Sequence, residues 1–292
     1  MTNPFFGSGV ALVTPFNEDH SIDFDALRAL VRYQISNGTD FLVVQGTTGE
    51  SPTLSKAEKL EVLKVVQDEN KGALKVVFGV GGNNTVEVGN FLKSLPGGID
   101  GILSVSPYYN KPTQAGIVAH FRYLAECTSL PIILYNVPGR TGSNMSAATT
   151  LELAKVENIV AVKEASGDFG QIMQILHKRP EGFGVLSGDD AITMPLIAVG
   201  ADGVISVVAN AYPKKFSQMV HTASKGDFAT SRALHYDLLP VTNMLFEEGN
   251  PGGVKIALER QGIMRSIMRP PLHPVSDDLR ARISLETDRL IH

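Results

Sequence analysis

Short apolar runs alternate with amphipathic helical patterns over most of this chain, and this alternation limits the possible folds strongly. Runs that are apolar throughout predict strands buried on both faces, as in parallel sheets. The predicted strands are Val10–Thr14, Phe41–Gln45, Lys75–Gly79, Gly101–Val105, Ile132–Asn136, Ile159–Lys163, Gly184–Ser187 and Gly203–Val207. Eight such units in about 200 residues predict the α/β class and a closed (β/α)8 TIM barrel. An open, doubly wound parallel sheet is the alternative.

Helix signals fill the segments between the predicted strands. After the first strand, apolar residues recur at helical spacing between Asp23, which is placed to cap a helix, and Gly38, which is placed to end it. After the second strand, Ser55 and Glu58 have the spacing of a capping box. Each pattern predicts an amphipathic helix that packs against the sheet.

The strand-like runs stop after the eighth predicted strand, and the remaining residues have helical patterns. Glycine and proline interrupt these patterns at 249–253 and 270–271. The last predicted helix begins near 276–278, where a serine and two aspartates suit the positive end of a helix dipole. We therefore predict a barrel over residues 1–211, which carries the active site, and a helical C-terminal extension over residues 212–292.

The composition argues against several classes of partner. The 292 residues are 43% hydrophobic and 19% charged, which is enough for one large core. A net charge of −4 and a pI of about 6.0 provide neither a basic surface for nucleic acid nor a polybasic membrane anchor. Residues 1–7 lack a basic and then apolar leader, and no apolar run reaches about 18 residues. The single cysteine, Cys127, fits a reducing compartment, so we expect a cytoplasmic protein.

Lys163 occupies the most suggestive position in the sequence. It ends the sixth predicted strand, and in this type of barrel the active site lies at the carboxyl ends of the strands. Burial disfavours the charged form of a lysine, and a neutral lysine is a nucleophile toward carbonyl carbons. The position indicates Schiff-base chemistry, although a lysine at a strand end can also be a surface residue whose charge reaches solvent.

Two further strand ends carry groups that can bind anions. The loop after the second strand contains Thr47 and Thr48 between glycines, so hydroxyls and backbone N–H groups could hold a small carboxylate. A plain turn before a helix is the alternative. The fifth strand ends with Tyr135, a phenol at the barrel mouth, and Arg140 in the following loop could bind a second carboxylate through two hydrogen bonds.

The other strand ends leave their roles more open. Tyr108 and Tyr109 follow the fourth strand and suit either an interface or proton transfer. Asp189 and Asp190 follow the seventh strand, but no histidine or glutamate follows at ligand spacing, so we predict no metal site. An amine, a phenol, an anion-binding loop and an arginine on one rim suit the condensation of a keto acid with a charged aldehyde, without a cofactor.

Taken together, the strand ends resemble those of the pyruvate-dependent class I aldolase and lyase family. The resemblance covers nearly the whole chain. The matching segments are 9–16, Gly46–Glu50, Pro107–Asn110, Tyr135–Pro138, Val162–Glu164, Ser187–Asp190 and the C-terminal helices.

The resemblance implies that Lys163 forms an imine with pyruvate, whose carboxylate would lie on Thr47, Thr48 and their amides. The derived enamine would attack L-aspartate 4-semialdehyde, in the first committed step of diaminopimelate and lysine biosynthesis. Tyr135 resembles the proton carrier of the family, linked through Thr47 to Tyr109, which would enter from a neighbouring subunit. Members of the family are commonly homotetramers built from tight dimers, so we expect the same assembly here.

Arg140 distinguishes members of the family from one another. By resemblance it would bind the carboxylate of aspartate semialdehyde, whereas the related N-acetylneuraminate lyases and keto-deoxygluconate aldolases lack an arginine there. Gly188, after the seventh strand, and Ile205, in the apolar wall of the eighth, complete the predicted substrate-binding set, and core packing is the alternative for Ile205. A related aldolase such as an N-acetylneuraminate lyase, or a barrel that binds without turnover, stays open as an alternative. A pyridoxal phosphate site is a weaker reading, because the chain does not clearly supply its pyridine and phosphate partners.

Six residues occupy positions of a cleft in which lysine-inhibited members of the family bind their effector, and all but the two lysines match it. They are Ser51, Lys56, Lys59, Asn83, Glu87 and Tyr108. Lys56 and Lys59 stand where the inhibited enzymes tend to carry histidine. Because their ammonium groups repel that of the effector, we predict weak or absent inhibition by lysine.

Overall fold

The computed structural model describes residues 3–291, and within that range eight parallel strands close into a barrel. The strands are β1 (Gly7–Ala11), β2 (Phe41–Val44), β3 (Lys75–Gly79), β4 (Gly101–Val105), β5 (Ile132–Asn136), β6 (Ile159–Glu164), β7 (Gly184–Ser187) and β8 (Gly203–Ser206). Each strand pairs with the next, and β8 pairs with β1. The predicted (β/α)8 barrel is confirmed, and the open sheet is wrong. The outer ends of the two predicted domains, at Met1 and His292, lie outside the described residues.

Helices surround the barrel and continue beyond it. They are α1 (Phe24–Ser36), α2 (Lys56–Asn70), α3 (Thr85–Lys93), α4 (Gln114–Glu126), α5 (Pro138–Thr141), α6 (Ala147–Leu153), α7 (Phe169–Lys178), α8 (Thr193–Ala198), α9 (Pro213–Ser224), α10 (Phe228–Glu247), α11 (Gly252–Arg260) and α12 (Asp277–Ile291). The predicted cap of α1 is confirmed, since the Asp23 carboxylate accepts a hydrogen bond from Ala26 N at 2.9 Å. The predicted capping box of Ser55 and Glu58 starts α2.

The first strand lies earlier in the chain than the sequence pattern predicts. We expected Val10–Thr14, whereas the strand covers Gly7–Ala11. Its first residue pairs with Gly203 of β8, where a Cβ atom would lie 2.1 Å from the Gly7 carbonyl oxygen. Two glycines therefore let the strands meet where the apolar pattern gives no signal. The apolar run continues past the strand because the following residues pack between the barrel and its helices.

Side chains fill the inside of the barrel. The inward-facing cluster includes Val43, Val77, Leu103, Ile133, Ala161, Leu186 and Ile205, all buried. Phe5 belongs to the same cluster and lies before β1, with its ring centroid 5.7 Å from that of Phe41. The barrel is therefore a packed core rather than a channel, and a ligand would bind at its mouth.

The C-terminal helices lie where the sequence indicates, with breaks between α10 and α11 and between α11 and α12. Helix α9 packs against β1, β8 and α8, the position expected of the helix that follows the eighth strand. Helices α10, α11 and α12 pack on one another, and α10 also contacts α8. The domain boundary at 211/212 stays a prediction. Helix α9 contacts both the barrel and α10, so it connects the two parts.

Candidate active site

Lys163 and Tyr135 lie side by side at the mouth of the barrel. They are register partners on the adjacent strands β6 and β5. Both side chains are buried, with exposed fractions of 6% and 7%. Lys163 Nζ lies 4.5 Å from the centroid of the Tyr135 ring. The parallel register thus places an amine against a phenol.

A cavity of about 450 Å³ opens beside this pair. Loops after β2, β5, β6, β7 and β8 form its walls, together with α10 and the segment that follows it. The predicted site residues that line it are Thr47, Thr48, Tyr135, Arg140, Lys163 and Gly188. The volume lies in the range of small-molecule binding sites.

The loop after β2 presents two hydroxyl groups to the cavity. Thr48 is buried, whereas Thr47 is partly exposed. Glu50 N donates a hydrogen bond to Thr47 O at 3.0 Å, and Thr14 Oγ1 donates to Gly49 O at 2.7 Å. These bonds hold the loop in a tight turn, in which hydroxyls and N–H groups can bind a carboxylate.

Arg140 lies at the edge of the cavity, in the short helix α5. Its backbone N–H donates to Val137 O at 2.9 Å, and its side chain is exposed. Among residues 3–291, no carboxylate lies within 4.0 Å of its guanidinium. Glu247 lines the same cavity but pairs with Arg282 at 2.6 Å. The Arg140 guanidinium is therefore available to a carboxylate of a ligand.

Two of the predicted catalytic and substrate-binding residues do not line this cavity. Tyr109 is 87% exposed, with a backbone φ of 72°, so its phenol points away from the chain that carries it. Ile205 is 1% exposed and packs inside the barrel. Val207, two residues further along, lines the cavity instead.

Asn250 reaches the cavity from the segment between α10 and α11, and no sequence pattern predicted it. Its Nδ2 donates a hydrogen bond to Thr48 Oγ1 at 3.0 Å. Because the hydroxyl accepts this bond, its own O–H stays free to donate into the cavity. The two residues are 202 positions apart, and no spacing rule connects them.

Glu164 was also missed, although it follows Lys163 directly. It is fully buried, and burial raises the pKa of its carboxyl above the usual value. Asn136 Nδ2 donates to its Oε1 at 3.0 Å, Ser166 N to the same oxygen at 2.9 Å, and Gln171 Nε2 to its Oε2 at 3.1 Å. Alternation along β6 directs this side chain away from the barrel interior. The network fixes the end of the strand that carries the amine.

The two aspartates after β7 have separate roles. Asp189 accepts a hydrogen bond from Ala191 N at 3.0 Å and caps a short 3-10 turn. Asp190 is buried, and its Oδ2 accepts from Val207 N at 2.9 Å and Val208 N at 3.2 Å. Burial raises the pKa of Asp190 to about 6. This carboxyl ties the end of β7 to the segment after β8.

The six residues of the predicted effector cleft line one further cavity, of about 230 Å³. Burial, and then the nearby Lys56, lower the pKa of Lys59. Ser51, Lys59 and Tyr108 also line a neighbouring cavity of about 320 Å³, which reaches Thr47, Tyr135 and Arg140. The cleft therefore adjoins the residues around Lys163.

Two negative findings concern the described part of the chain. Within residues 3–291, no group of three or more His, Cys, Asp or Glu side chains is arranged to hold a metal ion. None of the helices described there combines the length and apolar character that crossing a membrane requires.

Comparisons with known proteins agree with this geometry. The sequence model of the dihydrodipicolinate synthetase family matches residues 4–287. The 4-hydroxy-tetrahydrodipicolinate synthase of Parabacteroides distasonis is 51% identical over 92% of this chain and 91% of its own. That of Flavobacterium psychrophilum is 49% identical over 98% of both chains. The crystal structure of dihydrodipicolinate synthase from Aquifex aeolicus has a TM-score of 0.94 at 41% identity, over 98% of both chains. The chain belongs to the dihydrodipicolinate synthetase family.

Proposed function

We propose that this protein condenses pyruvate with L-aspartate 4-semialdehyde to give 4-hydroxy-tetrahydrodipicolinate. The observation that carries the proposal is the buried Lys163 amine beside the Tyr135 phenol, in a cavity that Arg140 and the Thr47–Thr48 loop also line. An amine nucleophile between two anion-binding groups suits one keto acid and one further carboxylate. The names of the relatives support the same reaction.

The first half of the reaction makes a carbon nucleophile. The neutral Lys163 amine attacks the keto carbon of pyruvate, and loss of water from the carbinolamine gives an imine. The imine draws electrons from the methyl carbon, which loses a proton and leaves an enamine. The pyruvate carboxylate binds to the Thr47 and Thr48 hydroxyls and the amides of their loop.

The second half makes the ring and frees the enzyme. The enamine carbon attacks the aldehyde carbon of the second substrate, and the resulting alkoxide takes up a proton. The amino group of the adduct then attacks the imine carbon, and the Lys163 amine leaves. Arg140 holds the carboxylate of aspartate semialdehyde, Gly188 forms part of the cavity wall, and Ile205 supports the floor from inside the barrel.

Tyr135 moves protons in these steps, connected through Thr47 to Tyr109 of a neighbouring subunit. The 87% exposure of Tyr109 supports this arrangement, because an exposed phenol on a loop can enter another chain. The assembly that we propose is a homotetramer built from two tight dimers, each dimer containing sites completed across its interface. The predicted cytoplasmic location stays a prediction.

Inhibition by lysine should be weak or absent. The cavity lined by the six cleft residues contains the ammonium groups of Lys56 and Lys59, and a third ammonium on a ligand adds repulsion. Half-inhibition below about 1 mM lysine in an initial-rate assay would show that this repulsion is offset by other contacts.

The decisive experiment measures pyruvate consumption with aspartate semialdehyde and, in parallel, with N-acetylmannosamine. We expect turnover with aspartate semialdehyde only. Borohydride should trap a pyruvate adduct on the wild-type protein and none on Lys163→Ala. Turnover with the sugar alone would indicate a lyase of the same family, and an absence of both turnover and adduct would indicate a barrel that binds without catalysis.

A further inference from the structure

A buried lysine in the C-terminal extension contacts the substrate loop from behind. Lys255, on α11, is fully buried, and its ammonium forms an ion pair with Glu50 Oε1 at 2.5 Å. The same ammonium donates hydrogen bonds to Thr14 O at 2.8 Å and Ile267 O at 2.7 Å. It also lies 4.5 Å from the ring centroid of Phe16. Two backbone carbonyls therefore accept hydrogen bonds from the ammonium, and the Glu50 carboxylate balances its charge.

The extension holds Glu50 through both of its carboxylate oxygens. While Oε1 faces Lys255, Oε2 accepts a hydrogen bond from Arg269 N at 3.0 Å. The guanidinium of Arg269 continues to Glu58 at 2.6 Å and to Thr53 O at 2.9 Å. The segment after β2 is thus attached to α11 and the residues that follow it.

Stability alone does not explain why this charged pair is fully buried. Burying two ions has a large desolvation cost, and apolar residues of similar volume often stabilise a core equally well. Further hydrogen bonds must offset this cost, and here two backbone carbonyls and a backbone N–H form them. The position of the pair relative to the active site gives a functional reason for its charge.

Glu50 ends the loop that carries Thr47 and Thr48. Gln45 and Glu50, at the two ends of this loop, have backbone φ angles of 65° and 54°, in the left-handed region that non-glycine residues rarely adopt. Such conformations persist where the surrounding structure holds them, and they concentrate at functional sites. The ion pair fixes one of these two ends.

We propose that Lys255 is a positioning residue for the substrate carboxylate: by holding Glu50, it keeps the hydroxyls and amides of Thr47 and Thr48 directed into the cavity. Lys255 does not line the cavity and acts through Glu50 and the loop. The inference rests on the proposed function, which assigns the carboxylate of pyruvate to this loop.

Steady-state kinetics of Lys255→Met and Glu50→Gln test the proposal. We expect KM for pyruvate to rise at least 10-fold in both, because the carboxylate-binding groups lose their alignment. We expect kcat to fall by a smaller factor than KM rises, because the Lys163 amine and Tyr135 keep their positions although Thr47 also belongs to the proposed proton relay. Titration of the borohydride-trapped adduct against pyruvate concentration should shift by the same factor as KM.

The double variant Glu50→Gln/Lys255→Met keeps the test conclusive if a single variant does not fold. It leaves no unpaired buried charge, so it should fold, yet it lacks the attachment and should show the raised KM. The matched control is Arg260→Gln on the same helix, which breaks an ion pair with Asp288 of α12, away from the loop. Its KM for pyruvate should equal that of the wild type.

A lower thermal midpoint with a wild-type KM in the double variant would overturn the proposal, because the pair would then serve stability alone. An equal rise in KM in Arg260→Gln would also overturn it. A lack of wild-type activity toward pyruvate and aspartate semialdehyde would instead refute the proposed function. The wild-type protein is therefore assayed before any variant.

Discussion

The guanidinium of Arg140 faces the cavity without a carboxylate partner among the described residues. Arg140→Ala should therefore raise KM for aspartate semialdehyde and lower kcat/KM by roughly 10 to 100-fold, since hydrogen bonds to a charged group contribute about 1.5–3 kcal/mol. KM for pyruvate should stay within about 2-fold of the wild type. Initial rates with each substrate varied in turn measure both effects.

The control for this prediction is Arg122→Ala, which removes an exposed arginine paired with Glu152 at 3.0 Å. It should leave both KM values unchanged, because the pair lies on α4 and α6, outside the residues that line the cavity. A loss of pyruvate affinity in Arg140→Ala equal to the loss for aspartate semialdehyde would show that the guanidinium does not distinguish the two carboxylates.

Single site residues were predictable where a reactive or polar side chain stands at the end of a predicted strand. Lys163, Tyr135 and Thr47 each follow or end an apolar run, so topology alone brings them to one rim. Asn250 was not predictable, because its contact with Thr48 depends on the path of a loop between two helices. Sequence patterns report which face a residue occupies, whereas a hydrogen bond across 202 residues depends on tertiary packing.

Among the elements, β7 and β8 are linked by Asp190, whose burial makes stability depend on pH. Its pKa rises from 3.8 to about 6 in the folded protein, a difference equivalent to about 3 kcal/mol at most. A raised carboxyl pKa contributes stability that is fully present below pH 3.8 and is lost as the pH rises through about 6. Asp190→Asn should remove this loss, because it cannot ionise and its Oδ1 can accept the same N–H groups.

Urea unfolding at pH 4, 5 and 7 checks this prediction. At each pH it gives the difference in unfolding free energy between the wild type and Asp190→Asn. The difference should shift in favour of the variant as the pH rises from 4 to 7. The control is Asp227→Asn, at the cap of α10, where hydrogen bonds from Thr230 lower the pKa of the carboxyl. It should not reproduce the shift, and a constant difference for Asp190→Asn would contradict the raised pKa.

The close approach of β2 and β3 depends on Gly79. A Cβ at this position would lie 2.2 Å from the carbonyl oxygen of Gln45, directly before the Thr47 loop. Gly79→Ala should therefore destabilise the protein by about 1–3 kcal/mol and reduce activity, because the backbone of the loop must shift. Gly97→Ala is the matched control, since no atom lies within 4 Å of its added Cβ. Denaturant midpoints and initial rates for both variants decide the question, and equal stability of the two would refute it.

Strands and helices were predictable where apolar runs alternate with segments of helical spacing. Strands β3, β4, β5 and β7 have the predicted ends, because each apolar run there coincides with the paired segment. The start of β1 was wrong, because Gly7 and Gly203 pair through backbone alone and carry no apolar signal. Hydrophobic pattern records burial, and it locates a strand end only where burial and pairing end together.

At the scale of the whole molecule, the barrel is packed to its mouth and the extension closes one side of the active site. The cavity beside Lys163 has walls from the barrel loops and from α10. One proposed participant, Tyr109, points away from its own chain with 87% of its surface exposed. A single chain therefore supplies the amine and the anion-binding groups, and the proton relay that we propose would take Tyr109 from a second copy.

Mixing two defective variants tests whether the relay crosses between chains. Lys163→Ala lacks the nucleophile, and Tyr109→Phe lacks the phenol, so each alone should have little activity. If Tyr109 serves the neighbouring site, a mixed dimer contains one complete site: the chain with an intact Lys163 receives Tyr109 from its partner. Random pairing of equal amounts makes about half of the dimers mixed, with one complete site in two, so about a quarter of the wild-type sites should recover. The assay is the initial rate after the variants are unfolded and refolded together, beside each variant refolded alone. A mixture no more active than the average of its components would place Tyr109 outside the neighbouring site.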